Sequence, residues 1–262
     1  MPMKKDRRIE QDFKALKSIT PAELKKRTAR EEQGLKEAQR EGDAFGIVHQ
    51  LADLSVPIVL AGQQAILRGD AAGWNGVLEY CWAQIESYAR KRVRSTSSAK
   101  WAAPPLLLLL AVEGWKPAFK TILAELEDRL SLVRSERKEL PLAFFTVYVA
   151  KLLAGDKRAR LDGPSGPISK LVARWDGELT NKVLVDVCEL QLKQRVQFVN
   201  FETTPIWYFA LERLRRMRGL ETPLPEHPLF ATPFATLPPK LKFDPKKSAL
   251  LKRFAKAPKV KD

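Results

Sequence analysis

The sequence predicts an all-α protein, and three observations support this prediction. Apolar residues recur at intervals of three and four from Phe45 to Met217, the period of an amphipathic helix. A proline follows a capping threonine at Thr20–Pro21 and at Thr204–Pro205, which is a signal for a helix start. The sequence holds no convincing β-hairpin signal. We expect about seven to nine helices of about 10–25 residues, arranged as a stack of helical hairpins or as a bundle.

The first 42 residues are charged and carry few apolar side chains. Thr20, Pro21 and Glu23 predict the start of one exposed helix in this region. We interpret residues 1–42 as a basic polar arm that is partly helical.

Two apolar helix faces follow the arm. The first extends from Phe45 to Ala65, and Pro57 inside it predicts a kink or a break near Ser55. The second extends from Trp74 to Ala89 and ends in a cluster of arginine and lysine, which suits the C-terminal end of a helix dipole.

The middle of the chain continues the helical pattern. We expect Pro104 and Pro105 to open a fully buried helix that contains the run Leu106–Leu110. Further stripes cover residues 119–133, 140–152, 168–175 and 183–196. The last of them contains "VLVDV", which by propensity is also compatible with a strand. Thr204 is expected to cap a helix that begins at Pro205 and ends just before Gly219.

Residues 219–239 are rich in proline, and we expect them to form an extended strap. Proline fixes φ and removes an amide donor, so neither a helix nor a central strand can continue through the segment. We expect Leu224, Leu229, Phe230 and Phe234 to pack the strap against the preceding helix, and His227 to orient it by a hydrogen bond. The alternative is a free strap that binds a partner.

The division that follows is a basic arm (1–42), a single all-helical domain that includes the strap (43–239) and a basic flexible tail (240–262). The formal charge of +15 lies mostly at the two ends, since residues 1–30 carry +6 and residues 240–262 carry +7. Basic ends of this kind bind nucleic acid without sequence preference, or keep an apolar body soluble. We expect both ends to be dispensable for folding.

The sequence does not predict an enzyme, and we expect no catalytic residue, cofactor or metal. Phosphate-binding loops, nucleophile elbows and paired C-x-x-C motifs are absent from it. His49 lies on an apolar stripe, which favours a core or boundary position over a catalytic base. Cys81 is interpreted as a packed residue rather than a nucleophile, and Glu125 with Asp128 as a solvated helix face rather than an acid–base pair.

Localisation is predicted from three absences. The basic N-terminus lacks the apolar run of a secretory signal. The run "APPLLLLLAV" is about half the ~20 residues that a membrane-spanning helix needs, so we expect it to be buried in the protein. The chain has two separated cysteines, Cys81 and Cys188, which do not suggest a disulfide framework. We expect a cytoplasmic protein that does not bind a membrane.

The residues that we expect to contact a protein partner are mainly aromatic or basic. Trp101 and Trp115 lie near expected chain turns, where tryptophan is often an interface anchor. The full set of partner-binding candidates is Trp101, Trp115, Arg90, Arg94, His227 and Phe230.

The segment "PIWYFALERLRRMRGLETPLPEHPLFATPF", Pro205 to Phe234, resembles helical immunity proteins of bacterial polymorphic-toxin and type VI secretion systems, in particular the group named immunity protein forty-nine. The likeness lies in Pro205, which starts an apolar helix, in Gly219–Leu220 and in His227–Pro228–Leu229. It implies a cytoplasmic antitoxin that binds one toxin or effector and blocks it without chemistry of its own. The positive charge of the chain predicts a toxin with an acidic or neutral face.

The predicted function is therefore that of a non-enzymatic immunity protein. The first alternative is a basic-tailed accessory protein that associates with nucleic acid, and the second is an enzyme with an unfamiliar helical site. Salt distinguishes the first two, because binding to phosphates weakens steeply as salt concentration rises.

Overall fold

A computed structural model of the chain describes residues 6–91, 96–132, 140–161, 166–195, 200–239, 241 and 243–260. The predicted all-α fold is confirmed, since these ranges contain helices and no β-strand. In chain order the helices are α1 (Arg7–Ser18), α2 (Pro21–Glu41), α3 (Ala44–Asp53), α4 (Ser55–Leu67), α5 (Gly73–Lys91), α6 (Thr96–Glu113), α7 (Lys120–Leu132), α8 (Pro141–Leu153), α9 (Pro167–Val172), α10 (Asn181–Lys193), α11 (Ile206–Arg216) and α12 (Ala249–Lys256). Their number exceeds the predicted seven to nine, because the basic ends also form helices and one predicted stripe divides into two.

The chain forms two compact units. Unit 1 comprises Met1–Glu10 and Arg94–Leu237, and unit 2 comprises Gln11–Val93 and Pro238–Asp262. The sequence-based division into an arm, one domain and a tail differs from these units. The physical reason is that the C-terminal segment packs on helices from the first third of the chain.

In unit 2, α4 and α5 pack closely because glycines line their contact. A Cβ atom added to Gly62 would lie 2.5 Å from the carbonyl oxygen of Gly73, and one added to Gly76 would lie 2.9 Å from that of Ile58. Real Cβ atoms do not approach backbone oxygens this closely, so only glycine permits this packing distance.

The predicted break near Ser55 is confirmed, because α3 ends at Asp53 and α4 begins at Ser55. Pro57 lies in the first turn of α4, where its missing amide donor costs nothing. Among the described residues, Ala44–Leu67 is the one helical stretch long and apolar enough to cross a membrane. Of its apolar 18-residue segment, 39% is buried inside the protein. Core helices of globular proteins meet the same two criteria of length and composition.

Residues 11–42 of the basic arm belong to unit 2, and the arm forms the helices α1 and α2. Helix α2 begins with the predicted capping box, in which Thr20 accepts from the amide of Glu23 and the Glu23 carboxylate accepts from the amide of Thr20. Leu35 and Ala38 of α2 are buried, and the helix packs against α3 and α4.

The C-terminal segment is not the flexible tail that its charge predicted. Helix α12 buries Leu250, Leu251 and Phe254 and packs against α5 and α3. Ser248 caps the helix, accepting from the amide of Leu251, and its hydroxyl donates to Glu79 at 2.5 Å. Net charge did not predict this short amphipathic helix, because its docking depends on only three apolar residues among many charged ones.

In unit 1, α6 is the buried central helix. Leu106–Leu110 have no exposed surface, which confirms the prediction of a buried run. The expectation that Pro104 and Pro105 open the helix is wrong, since α6 begins at Thr96 and both prolines lie inside it. Each proline removes one helical hydrogen bond. The helix continues through them while its leucines pack against α8 and α11.

The remaining helices of unit 1 frame the strap. Residues Asn181–Lys193 form α10, so the strand alternative for this stripe is excluded. Helix α11 begins at Ile206 with Pro205 as its cap residue, one position later than predicted, and Gly219 adopts a φ of 70° just after its end. Left-handed backbone of this kind ends helices and favours glycine.

Candidate partner-binding surface

The candidate surface lies where α11 ends and the strap begins. Helix α11 buries Trp207, Leu211 and Leu214 in unit 1 and packs against α6 and α8. Arg213 of α11 donates to the carbonyls of Ala111 and Val112 at 3.0 and 3.1 Å, and so caps the C-terminal end of α6. The end of α11 is therefore held on the central helix.

Arg215 ties the start of the strap to α11. It is buried, and its guanidinium donates to the carbonyl of Glu221 at 2.9 and 2.6 Å. It also donates to the carbonyls of Trp175 and Gly177 at 2.7 and 2.8 Å, in the turn that follows α9. These four hydrogen bonds reach three backbone carbonyls, and together they compensate the free-energy cost of burying the guanidinium charge.

Further polar contacts fix the strap along its length. The Tyr208 hydroxyl donates to the carbonyl of Thr222 at 3.2 Å, and the amide of Glu226 donates to Asn181 at 3.0 Å. Beneath the strap, the buried Gln191 donates to the carbonyls of Phe201 and Thr204 and accepts from the indole of Trp207 at 2.9 Å. These bonds join α10 to α11 and to residues 201–204.

His227 is buried and orients the strap, as the sequence analysis expected. Its Nδ1 accepts from the amide of Leu229 at 3.2 Å, so its Nε2 faces Glu189 at 3.2 Å as the donor. Glu189 also accepts from Arg8, whose guanidinium binds Asp6 as well. In this arrangement His227 faces the interior, so its side chain is not available to a partner.

Charge pairing in this network shifts two carboxyl groups. Burial raises the pKa of Glu189, but the hydrogen bonds from His227 and Arg8 outweigh it and lower the pKa. The hydrogen bond from Arg8 lowers the pKa of Asp6 to about 2. Both groups are therefore ionised near neutral pH.

The apolar side of the strap packs as expected except at one position. Leu229 and Phe234 are fully buried, and Phe230 is half-buried with its ring centroid 4.7 Å from that of Tyr208. The strap is not extended throughout, since Pro228–Ala231 and Pro233–Ala235 form 3₁₀ turns. The expectation that Leu224 packs inward is wrong: 66% of it is exposed, because Pro225 next to it takes the inward position.

Two large apolar side chains thus face solvent within residues 216–224, Met217 (62% exposed) and Leu224 (66% exposed). Arg216 and Arg218, which neighbour Met217 in the chain, are exposed as well, and Arg218 lies over the ring of Trp175 at 5.8 Å. We call residues 216–224 the α11–strap turn. In the sequence Met217 belongs to the apolar stripe of this helix, but it is the residue that follows the end of α11 at Arg216 and it is exposed.

The other predicted contact residues are dispersed. Trp101 on α6 is 45% exposed, whereas Trp115 after α6 is half-buried against Phe119. The two tryptophans are 14 positions apart, so helix geometry separates them by about 20 Å. Arg90 belongs to unit 2, where it donates to the carbonyl of Ala257 at 2.9 Å, and Arg94 lies outside the described residues.

The cysteine, histidine and acidic residues considered as catalytic or metal-binding candidates do not come together in one site within the described ranges. No group of three His, Cys, Asp or Glu residues in these ranges could hold a metal ion. Cys81 and Cys188 are buried and are not joined in a disulfide, and burial raises the pKa of the Cys188 thiol. Glu125 pairs with Arg129 at 3.0 Å, one turn along α7. His49 has an exposed side chain rather than a core position.

No protein-family model, curated protein or solved structure matches this chain.

Proposed function

We propose that the protein is a non-enzymatic binding protein of the immunity type, which neutralises a cognate bacterial toxin by binding it through the α11–strap turn. The observation that carries the proposal is the exposure of Met217 and Leu224 on a backbone that buried hydrogen bonds hold in place. Apolar side chains on an ordered turn are suited to form the core of a protein interface.

Pre-organisation supports this function. Binding costs free energy whenever loops and side chains must be ordered, and a turn that is already ordered avoids much of that cost. Here Arg215 holds Glu221, Tyr208 holds Thr222 and Asn181 holds Glu226. The backbone on both sides of Leu224 is thereby fixed before a partner arrives. Methionine adds adaptability, because its unbranched side chain fits different partner shapes.

The resemblance to immunity proteins supports the same location. It covers Pro205–Phe234, the segment that forms α11, the α11–strap turn and the strap. Arg216 and Arg218 flank Met217 in the chain and are exposed, so the proposed toxin has an acidic or neutral face at the contact. The proposed site of action is the cytoplasm.

The test uses the toxin domain encoded in the reading frame next to this gene. The domain is expressed in bacteria alone and together with the protein, and growth is measured, while calorimetry gives the affinity of the purified pair. We expect growth rescue by the wild type. The double substitution Met217→Asp with Leu224→Asp should abolish rescue without changing the melting temperature.

The matched control is Trp101→Asp, which also places a carboxylate on an exposed apolar position of unit 1. It should retain rescue. Loss of rescue by Trp101→Asp alone would move the surface to α6 and contradict the α11–strap turn. Absence of any complex between the wild type and the toxin domain would contradict the immunity function itself.

A second candidate function, association with nucleic acid, is favoured by one observation in unit 2. Five exposed lysines follow one another along the C-terminal segment: Lys246, Lys247, Lys252, Lys256 and Lys259. Binding of a labelled duplex should then weaken by orders of magnitude between about 50 and 200 mM salt. Exchange of the five lysines for glutamine should remove the binding, and binding that persists in this variant would exclude the segment.

A further inference from the structure

A cluster of titratable side chains lies at the surface of unit 2, on α3 and α5. The Nζ atom of Lys91 is 3.1 Å from Nδ1 of His49, and Nε2 of His49 is 3.5 Å from a carboxylate oxygen of Asp53. The amine lies over the face of the Phe45 ring, with 5.1 Å between Nζ and the ring centroid. His49 and Asp53 are one turn apart on α3, so the helix itself presents them on one face.

The hydrogen bonds determine the tautomer of His49. A lysine ammonium has only donors, so Nδ1 of His49 accepts and the proton of the neutral ring lies on Nε2, towards Asp53. The order Lys91, His49, Asp53 therefore places a proton acceptor next to the amine and a carboxylate behind that acceptor. Similar pairs of base and orienting group activate nucleophiles in enzymes.

The surroundings of the amine also favour its neutral form. Burial lowers the pKa of Lys91 to about 8, while Asp53 acts in the opposite direction. At pH 7 the neutral fraction is then about 300-fold larger than for a lysine with a pKa of 10.5. Burial raises the pKa of Asp53 itself. The charge of Glu31 on α2 also raises this pKa, whereas His49, Lys91 and Arg30 lower it.

The amine is nevertheless accessible. Phe45 is 44% exposed and the side chain of His49 is 51% exposed, so the cluster opens to solvent on the side of these two rings. The exposed part of the Phe45 ring offers an aromatic ligand an apolar contact next to the Lys91 amine. Arg253, which comes from α12, is engaged by Glu32 and does not offer an anion site here.

We propose that Lys91 is a nucleophilic amine that binds a small aromatic aldehyde covalently, as an imine, with the exposed part of Phe45 contacting the ring of the ligand and His49 accepting the proton of the ammonium. The nitrogen of neutral Lys91 attacks the carbonyl carbon and forms the C–N bond. The C–O bond then breaks, and the oxygen leaves as water with the two protons that the amine nitrogen loses. No electrons are exchanged and no further reactant is needed. The inference rests on unit 2 alone and is independent of the proposed toxin binding.

The experiment treats the full-length protein with benzaldehyde and cyanoborohydride, which reduces the imine to a stable secondary amine. Peptide mass spectrometry after chymotryptic digestion gives the labelling rate of each lysine between pH 6 and 11. Lys26, exposed on α2, is the internal reference. At pH 7 we expect Lys91 to be labelled about tenfold faster than Lys26, with a pH profile that reaches half its maximum near 8.

Two variants separate this site from a lysine that is merely exposed. Phe45→Ser opens the amine to water and should move the midpoint of the Lys91 profile towards 10.5, whereas Asp53→Asn removes a carboxylate that raises this pKa and should move the midpoint below 8. Circular dichroism checks that each variant is folded. Equal rates and equal profiles for Lys91 and Lys26 in the wild type, or a midpoint that neither variant moves, would overturn the proposal.

Discussion

Arg253 and Glu32 form a two-pronged ion pair, with 2.5 Å between Nη1 and Oε1 and 2.8 Å between Nη2 and Oε2. The pair joins α12 to α2, and the hydrogen bond lowers the pKa of Glu32. Residues 32 and 253 thus connect the two regions that net charge marks as an arm and a tail. Helices α2 and α12 both belong to unit 2.

The first prediction concerns this C-terminal segment. Phe254 is fully buried, so Phe254→Ala should lower the free energy of unfolding by about 3–5 kcal/mol. Lys252 and Lys256 on the same helix are exposed, and their joint exchange for glutamine should change it by less than about 0.5 kcal/mol. Urea denaturation of both variants provides the comparison. Equal stability of the Phe254→Ala variant and the wild type would mean that α12 is not part of the cooperative unit.

The second prediction concerns the contact of α4 with α5. Gly62→Ala places a Cβ atom 2.5 Å from a backbone oxygen, which forces the helices apart and should cost about 1–3 kcal/mol of stability. Gly177→Ala is the matched control, because there the nearest atom is 3.9 Å from the new Cβ. Thermal unfolding should show a lower melting temperature for the first variant only. A stable Gly62→Ala protein would show that the contact tolerates a wider spacing.

The third prediction concerns the strap. Leu229 is fully buried, so Leu229→Ala should cost about 2–5 kcal/mol, and the double variant with Phe230→Ala should cost more. Leu224→Ala, on the exposed side of the same strap, should leave stability within about 0.5 kcal/mol of the wild type. Denaturant unfolding of these variants and of the wild type measures the differences in the free energy of unfolding. A stable Leu229→Ala protein would contradict the structural role of the strap.

The fourth prediction concerns pH. The folded-state pKa values of Asp6 and Glu189 are lowered, to about 2 for Asp6. Their contribution to stability is therefore complete above the ordinary values of 3.8 and 4.5 and is lost as pH falls through the lowered ones. Both groups reach solvent, so the total should be of the order of 1 kcal/mol.

Arg8→Met is the variant that tests this pH dependence, because Arg8 binds both carboxylates. Unfolding by urea should show that the wild type loses more stability than the variant between pH 5 and 2. Parallel curves for the two proteins would exclude the ion pairs as the cause.

Local patterns were sufficient to predict much of this fold. The capping box at Thr20, the break before Ser55 and the buried run Leu106–Leu110 depend on residues close in the chain, and each was predicted correctly. The orienting role of His227 was also predicted from the sequence, and one of its hydrogen bonds is local, from the amide of Leu229. Its other partner, Glu189, is distant in the chain and was not predicted. Helical period and backbone donors act over a few residues, and that is the range over which sequence patterns are informative.

Tertiary contacts decided the rest. The helix α12 became part of unit 2 because Phe254 is buried and Arg253 meets Glu32, more than 200 positions away in the chain. Leu224 faces solvent because Pro225 next to it takes the inward position, while the hydrogen bonds of Glu221 with Arg215 and of Glu226 with Asn181 hold the backbone on both sides. The approach of Lys91 to His49 likewise joins two helices that no sequence period relates. Burial and pairing of this kind depend on which surfaces meet in three dimensions, and composition and spacing do not specify that.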